Sequence, residues 1–202
     1  MNKNIGIKDI LVRFDEISKH YVRELDKYSL AELCRKPSEN EWSLGQVYLH
    51  LPHSTLNLQL RLAEQCMALG GSSEEGGGKT EAGHAVFEQG SFPPIRIQVP
   101  ADLQYTPPQP ESKEQLVAKL EEARRRMHEI GASLQTIAPE RLQRKATHPA
   151  VAFGALNAVE WFTMVEMHYR HHLLQKERLD AFLQNAELLG SLKMIKFPHS
   201  DS

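Results

Sequence analysis

Apolar residues recur every three or four positions in four long segments of the chain, which is the spacing of the buried face of an amphipathic helix. In the first segment these residues are Ile7, Ile10, Leu11, Phe14, Ile17, Tyr21 and Leu25. In the third segment they are Leu116, Leu120, Ala123, Met127, Ile130, Leu134 and Ile137. The periodicity predicts an all-α protein built from four helices.

The second helix is predicted to begin after Ser43, a residue type that favours the N-cap, and to run toward Ala68. Pro52 lies inside this segment and has no backbone N–H to donate. We therefore expect the helix to kink there, or a short first piece to meet a longer second one.

The third helix is predicted to begin at Ser112, which together with Gln115 has the spacing of a capping box, and to stop before Pro139. The fourth is predicted over about residues 155–188. Three consecutive arginines at 124–126 are expected on the solvated face of helix three rather than at a phosphate.

Residues 70–110 have a different composition, rich first in glycine and then in proline, which forbids a continuous helix. We expect a mobile glycine-rich part at 70–78, a strand-like run at 95–99, and a proline-rich part that lies against the helices. The predicted architecture is a four-helix bundle with this long crossover connection between helices two and three, in one domain spanning residues 1–202.

The composition excludes some function classes. With 24 basic and 26 acidic residues in 202, the net charge of −2 gives no electrostatic reason to expect a nucleic acid or an anionic membrane as partner. No segment has the apolar length of a membrane span or of a signal-peptide core, so we expect a cytoplasmic protein. Cys34 and Cys66 are expected to be unpaired thiols.

His168 and His172 are four residues apart on the apolar stripe of helix four. At 3.6 residues per turn, His172 lies roughly 40° from His168, while Trp161 and Val165 lie roughly 20° and 60° from it. Two imidazoles one turn apart on a rigid helix can bind the same divalent metal ion. His171 lies roughly 60° to the other side, at the edge of the stripe.

His50 is the best candidate for a third imidazole, because it lies at the border between the apolar stripe of helix two and a polar strip. That strip contains Gln46, Asn57 and Arg61, which we interpret as candidate contacts to a bound ligand or cofactor. A solvated helix surface explains the same pattern. His53, one turn from His50, could replace it or hydrogen-bond nearby, although an exposed polar residue is the simpler interpretation.

Three neutral imidazoles around a divalent ion leave a position open for water or substrate, which is typical of catalytic rather than structural sites. Zinc is the first choice of metal, with nickel, manganese or iron as alternatives. No glutamate lies between His168 and His172, so the metalloprotease motif is absent.

Two separated segments carry a family pattern. The first is Trp42-Ser43-Leu44-Gly45-Gln46-Val47-Tyr48-Leu49-His50-Leu51. The second contains His148-Pro149, Phe153-Gly154, Leu156, Glu160-Trp161-Phe162, His168, His172-Leu173 and Gln175. Together they resemble the DinB-like superfamily, which includes the YfiT-type metalloenzymes. The resemblance implies a four-helix bundle with a divalent metal held by His50, His168 and His172.

The chain departs from many relatives at Pro52-His53, where they carry a small residue and an aspartate, and at His171, which is often arginine in the most similar branch. The resemblance also implies a metal-dependent S-transferase or detoxifying enzyme that uses a low-molecular-weight thiol and a small-molecule substrate. Metal-dependent hydrolysis is the alternative within the enzyme class. A non-catalytic bundle that binds a metal or a small ligand, or that forms a homodimer, is the alternative outside it, and histidines that are merely satisfied core residues are a third account.

Overall fold

The computed structural model describes residues 6–68, 77–95, 105–148 and 151–195. Its α-helices, numbered α1 to α7 in chain order, are Ile7–Glu24, Leu30–Cys34, Leu44–Ser54, Leu60–Met67, Glu81–Gln89, Lys113–Thr136 and Ala158–Ile195. Two strands, β1 (Lys145–Ala146) and β2 (Leu156–Asn157), pair antiparallel ahead of α7. No described helix is long and apolar enough to span a membrane.

The bundle consists of α1, α6, α7 and a continuous segment in which α3 leads into α4. Helix α1 packs on α6 and α7, α3 packs on α6 and α7, and α4 packs on α7. The apolar positions that predicted the first and third helices are buried at this contact, including Phe14, Tyr21, Leu120 and Met127. The predicted four-helix bundle is confirmed.

The junction between α3 and α4 is a single π-helical turn at Thr55–Gln59, which begins three residues after Pro52. Proline cannot donate a hydrogen bond and its ring crowds the preceding turn, yet α3 continues through Pro52 to Ser54. The departure from regular α-helix therefore lies at the π-turn, three residues after the position expected from the sequence. Single π-turns of this kind often lie beside functional sites, and this one follows His50 by one turn.

Two short helices were not predicted. Helix α2 is capped at its N-terminus by Ser29, whose side chain accepts a hydrogen bond from the Glu32 backbone in a capping box. Helix α5 lies within the segment expected to be a connection. Its N-cap is Thr80 and its C-cap is Gly90, which has the left-handed φ of 64° that favours glycine. The expected mobility of 70–78 and the strand-like run at 95–99 fall mainly outside the described residues.

The proline-rich part lies against the bundle, as expected. Gln46 Nε2 donates to the carbonyl oxygen of Pro107 at 2.6 Å, and Ser43 Oγ lies 2.9 Å from Gln109 Oε1. The ring of Pro110 packs so closely on Gly45 that a Cβ there would lie 2.5 Å from the Pro110 Cγ. These contacts hold residues 107–110 along the beginning of α3.

Buried tyrosines join three of the long helices next to the histidines. Tyr21 of α1 donates its hydroxyl to the carbonyl of Tyr169 on α7, and Tyr48 of α3 donates to the carbonyl of Tyr21, each at 3.0 Å. Their rings contact one another edge to face. Because a buried hydroxyl without a partner is costly, these bonds fix how α1, α3 and α7 meet.

A buried lysine pairs α7 with the end of α1. Lys176 is 2% exposed and donates to Glu24 at 3.0 Å and to Asp180 at 2.7 Å, while Tyr28 donates to Asp180 at 2.7 Å. Hydrogen bonds from Lys27 and then from Lys176 lower the pKa of Glu24 to about 2. A charge this deeply buried requires its partners, because an unpaired ammonium group would remain desolvated.

Candidate metal centre

Three histidines from two helices of the bundle meet at one point. His50 Nε2 lies 3.2 Å from His168 Nε2, and His172 Nε2 lies 3.0 Å from the same atom. One ring nitrogen from each histidine lies within 4.8 Å of the others. Among the described residues, this is the group of three histidine, cysteine or acidic side chains whose ligand atoms lie that close together. Each of the three residues keeps part of its surface exposed.

The helical period explains why His172 rather than His171 joins the group. His168 and His172 are one turn apart on α7, and their rings contact at 4.6 Å between centroids. The ring of His171 instead packs on Phe92, with 5.5 Å between centroids. The side chain of His171 therefore leaves the group and contacts the segment that follows α5.

Burial keeps these imidazoles neutral. Desolvation lowers the pKa of His50 and of His168 well below the ordinary value, and the neighbouring His172 lowers both further. Desolvation also lowers the pKa of His172 to about 4, against a raising effect of its hydrogen bond to Gln175. A metal ion binds the neutral imidazole, so at neutral pH protons do not compete for these nitrogens.

The outer ring nitrogens determine which nitrogens face the centre. His172 Nδ1 lies 2.9 Å from Gln175 Oε1, and an amide oxygen only accepts, so Nδ1 carries the proton and Nε2 presents its lone pair. His50 Nδ1 lies 3.5 Å from Ser54 Oγ, a weaker version of the same arrangement. Nδ1 of His168 is buried with no hydrogen-bond partner among the described residues.

The donor set fits a divalent ion. If His172 and His50 both point lone pairs inward, a proton on His168 Nε2 can satisfy only one of them, whereas a cation satisfies all three nitrogens. Tetrahedral ligands about 2.0–2.1 Å from zinc lie about 3.3 Å from one another. The observed separations of 3.0 and 3.2 Å are close to that value.

The two glutamates of α7 that precede His168 are held by other partners. Glu160 pairs with Lys79 and accepts the backbone N–H of Asn157 at 2.8 Å. Glu166 is held by Arg170, whose Nη2 also donates to the Gly90 carbonyl. Within the described part of the chain, the candidate centre is therefore a set of neutral imidazoles without a carboxylate ligand.

Gln46, Asn57 and Arg61, the candidate ligand contacts, have different positions relative to the histidine group. Gln46 is 4% exposed, and its amide group bonds to the Ser43 backbone and to Pro107, which gives it a structural role. Asn57 is exposed and its Nδ2 bonds to His53, at 3.2 Å from the ring Nδ1. Arg61 is also exposed. The hydrogen bonds described for Gln46 and Asn57 do not reach the histidine group, so the polar strip is mainly surface and packing.

Aromatic rings border the histidines, a feature that the helical periodicity of the sequence did not indicate. Trp42 packs on His50 with 4.9 Å between ring centroids, and Phe92 lies 6.2 Å from His168. Phe153 contacts Phe92 at 5.4 Å. These residues lie outside the helices that carry the histidines, so periodicity gave no signal for them; Trp42 and Phe153 were signalled only by their places in the family pattern.

A profile of the DinB superfamily matches residues 13–175, which is most of the chain and includes all three histidines. The chain belongs to the DinB superfamily. This membership confirms the family resemblance carried by the segment around His50 and by the pair on α7.

Among solved structures, YfiT from Bacillus subtilis is similar to this chain, with a TM-score of 0.55 and 16% sequence identity. The similarity covers 91% of this chain and 93% of that one. YfiT is described as a probable metal-dependent hydrolase with an unusual four-helix bundle topology. At this identity the likeness shows a shared fold. No curated protein matches the chain significantly.

Proposed function

We propose that this protein is a divalent-metal-dependent enzyme that joins a small electrophilic substrate to a low-molecular-weight thiol, with His50, His168 and His172 as the metal ligands. The observation that carries the proposal is the convergence of three neutral ring nitrogens in a group without a carboxylate. Zinc is our first choice of metal, and nickel, manganese and iron remain alternatives.

A divalent ion held by three neutral imidazoles would favour the deprotonated form of a thiol or a water molecule that reaches it. The protein's own part is to hold the imidazoles in place. Gln175 fixes the tautomer of His172, and the buried tyrosine bonds fix the spacing of α3 and α7. The three histidines are each only partly buried.

The surroundings favour a thiol over water as the nucleophile. A thiol has a pKa of about 8.5 and bulk water one of about 15.7, so a thiol needs much less help to ionise. Glu160 and Glu166, which precede the histidine pair on α7, are engaged by Lys79 and Arg170, which makes them poorly placed as bases. In the reaction, the thiolate sulfur bonds to an electrophilic carbon and the leaving group departs with its electron pair.

Metal-dependent hydrolysis is the second candidate, and the description of YfiT favours it. Zinc sites with three histidine ligands do activate water at neutral pH in other folds, so the ligand set is compatible with this chemistry. The two candidates differ in their requirement for a thiol. A non-catalytic bundle that uses the metal only for stability is the remaining alternative.

The test begins with protein purified without chelators, whose metal content is measured by mass spectrometry. It is then assayed with several thiols against an aryl halide, and in parallel with activated esters in the absence of thiol. We expect thiol-dependent conjugation that His172→Ala abolishes. Ester hydrolysis without thiol would favour the hydrolase, and bound metal with neither activity would favour the non-catalytic bundle.

A further inference from the structure

Three aromatic residues border the histidine group from segments that carry none of the proposed ligands. Trp42 packs on the ring of His50, on the side of α3. Phe92 packs on His168 of α7, and Phe153 packs on Phe92. Aromatic rings therefore flank the histidine group both beside α3 and beside α7. We call Trp42, Phe92 and Phe153 the aromatic rim.

The rim residues are fixed by backbone hydrogen bonds rather than by their own packing alone. Trp42 immediately precedes Ser43, the N-cap of α3, whose side chain and backbone bond reciprocally with Gln46. This capping box fixes the backbone that follows Trp42, and the indole itself packs on the ring of His50. A ring already held by packing loses little conformational entropy when a ligand packs on it.

The other two rim residues, Phe92 and Phe153, lie where the segment containing α5 contacts α7 and the loop before α7. Arg170 donates to the carbonyl of Gly90, two residues before Phe92. The Thr80 backbone N–H donates to the carbonyl of Phe153 at 3.0 Å, and Gly154 follows with the left-handed φ of 80°. Phe92 is 9% exposed, so only part of its ring faces solvent.

We propose that the aromatic rim is the specificity subsite for an aromatic or bulky apolar group attached to the atom that binds at the metal position. This inference rests on the proposed metal site, and it names the class of substrate that the site takes. Apolar rings beside a metal position stabilise such a group by burial and by edge-to-face contact, whereas a small or hydrophilic group gains neither. A carboxylate ligand would make the metal position less favourable for an anionic metal-binding group of the substrate. Within the described residues, the histidine group contains no such carboxylate.

The test compares two probes that share one metal-binding head, benzohydroxamate and acetohydroxamate. Their affinities for zinc-loaded protein are measured by calorimetry, so the result does not depend on finding the reaction. We expect benzohydroxamate to bind at least about tenfold more tightly, because burying a phenyl ring contributes more than burying a methyl group. We expect Trp42→Leu and Phe92→Leu each to reduce this preference by about threefold or more and to leave acetohydroxamate binding nearly unchanged.

Phe87→Leu is the matched control. Phe87 lies on α5 and is partly buried, and its ring contacts Lys79 rather than a histidine. This variant should keep the full preference for the aromatic probe. Zinc content and helical circular dichroism of each variant establish that the metal site and the fold persist. The two rim substitutions lie on different segments of the chain, so either variant can test the proposal if the other misfolds.

Two kinds of result would overturn the proposal. The first kind leaves the proposed metal site intact, and the second kind overturns that site as well. Equal affinity for the two probes in the unaltered protein, or a preference unchanged in both rim variants, overturns the rim while the metal site stands. Failure of both probes to bind zinc-loaded protein, or failure of the protein to hold zinc, overturns the metal site of the proposed function and the rim with it.

Discussion

The choice between His171 and His172 is the sharpest test of the metal centre. Both lie within one turn of His168, and helical geometry allows either to pair with it. The structure places His172 Nε2 3.0 Å from His168 Nε2, whereas His171 contacts Phe92. We therefore expect His172→Ala to lose most of the metal and His171→Ala to retain it.

The magnitude follows from the number of ligands. Structural zinc sites bind with roughly 10–16 kcal/mol through four ligands, so each ligand contributes roughly 2.5–4 kcal/mol. Removing His172 should therefore weaken binding by about 100- to 1000-fold. His171 touches the ring of His172 only edge to face, with 5.6 Å between centroids, so His171→Ala should cost less than about tenfold.

The assay is a competition titration of zinc between each variant and a chromophoric chelator at neutral pH, with the metal content of dialysed protein as a second readout. Circular dichroism of both variants checks that the bundle is intact. If His171→Ala empties the site while His172→Ala stays loaded, the assignment on α7 is wrong. Equal losses in both variants would show that the ring of His171 turns inward when the metal binds.

Three further predictions concern the support of the site and the fold. Gln175→Leu should weaken zinc binding by about 10- to 100-fold, measured by the same titration, because the proton on His172 Nδ1 loses its acceptor. Glu24→Gln should lower the free energy of unfolding by about 1–2 kcal/mol at pH 7. The folded-state pKa of Glu24 is depressed, so its contribution is present above about pH 4.5, and denaturant unfolding should show the difference fading as the pH falls toward 2. Gly45→Ala should cost about 1–3 kcal/mol in thermal unfolding because its Cβ meets a proline ring, whereas Gly78→Ala, which meets nothing within 4 Å, should be nearly neutral; equal effects would refute that packing argument.

Much of the fold was predictable because its causes are local. Apolar spacing predicted the buried faces of α1 and α6, and the N-caps Ser43 and Ser112 predicted where two helices begin. Pro52 indicated that helix two is irregular, although α3 continues through it and the π-turn begins three residues later. The pairing of His168 with His172 followed from the helical period, since neighbours one turn apart must share a face.

Other features depended on contacts between distant parts of the chain. Gln46 was assigned to a ligand from its helical angle, but it bonds to Pro107, 61 residues away. Helix α5 and the position of Phe92 depend on bonds from Thr80 and Arg170 to segments far along the sequence. No periodicity predicts such contacts.

The sequence by itself therefore determined the four long helical segments, the family pattern and the two histidines that share a turn of α7. The tertiary structure decided that His50 meets them, that Gln175 orients one of them, and that aromatic rings flank the group. The physical reason is that helical spacing is set by backbone geometry within a few residues, whereas the convergence of α3 and α7 is set by how the buried side chains of the whole bundle pack.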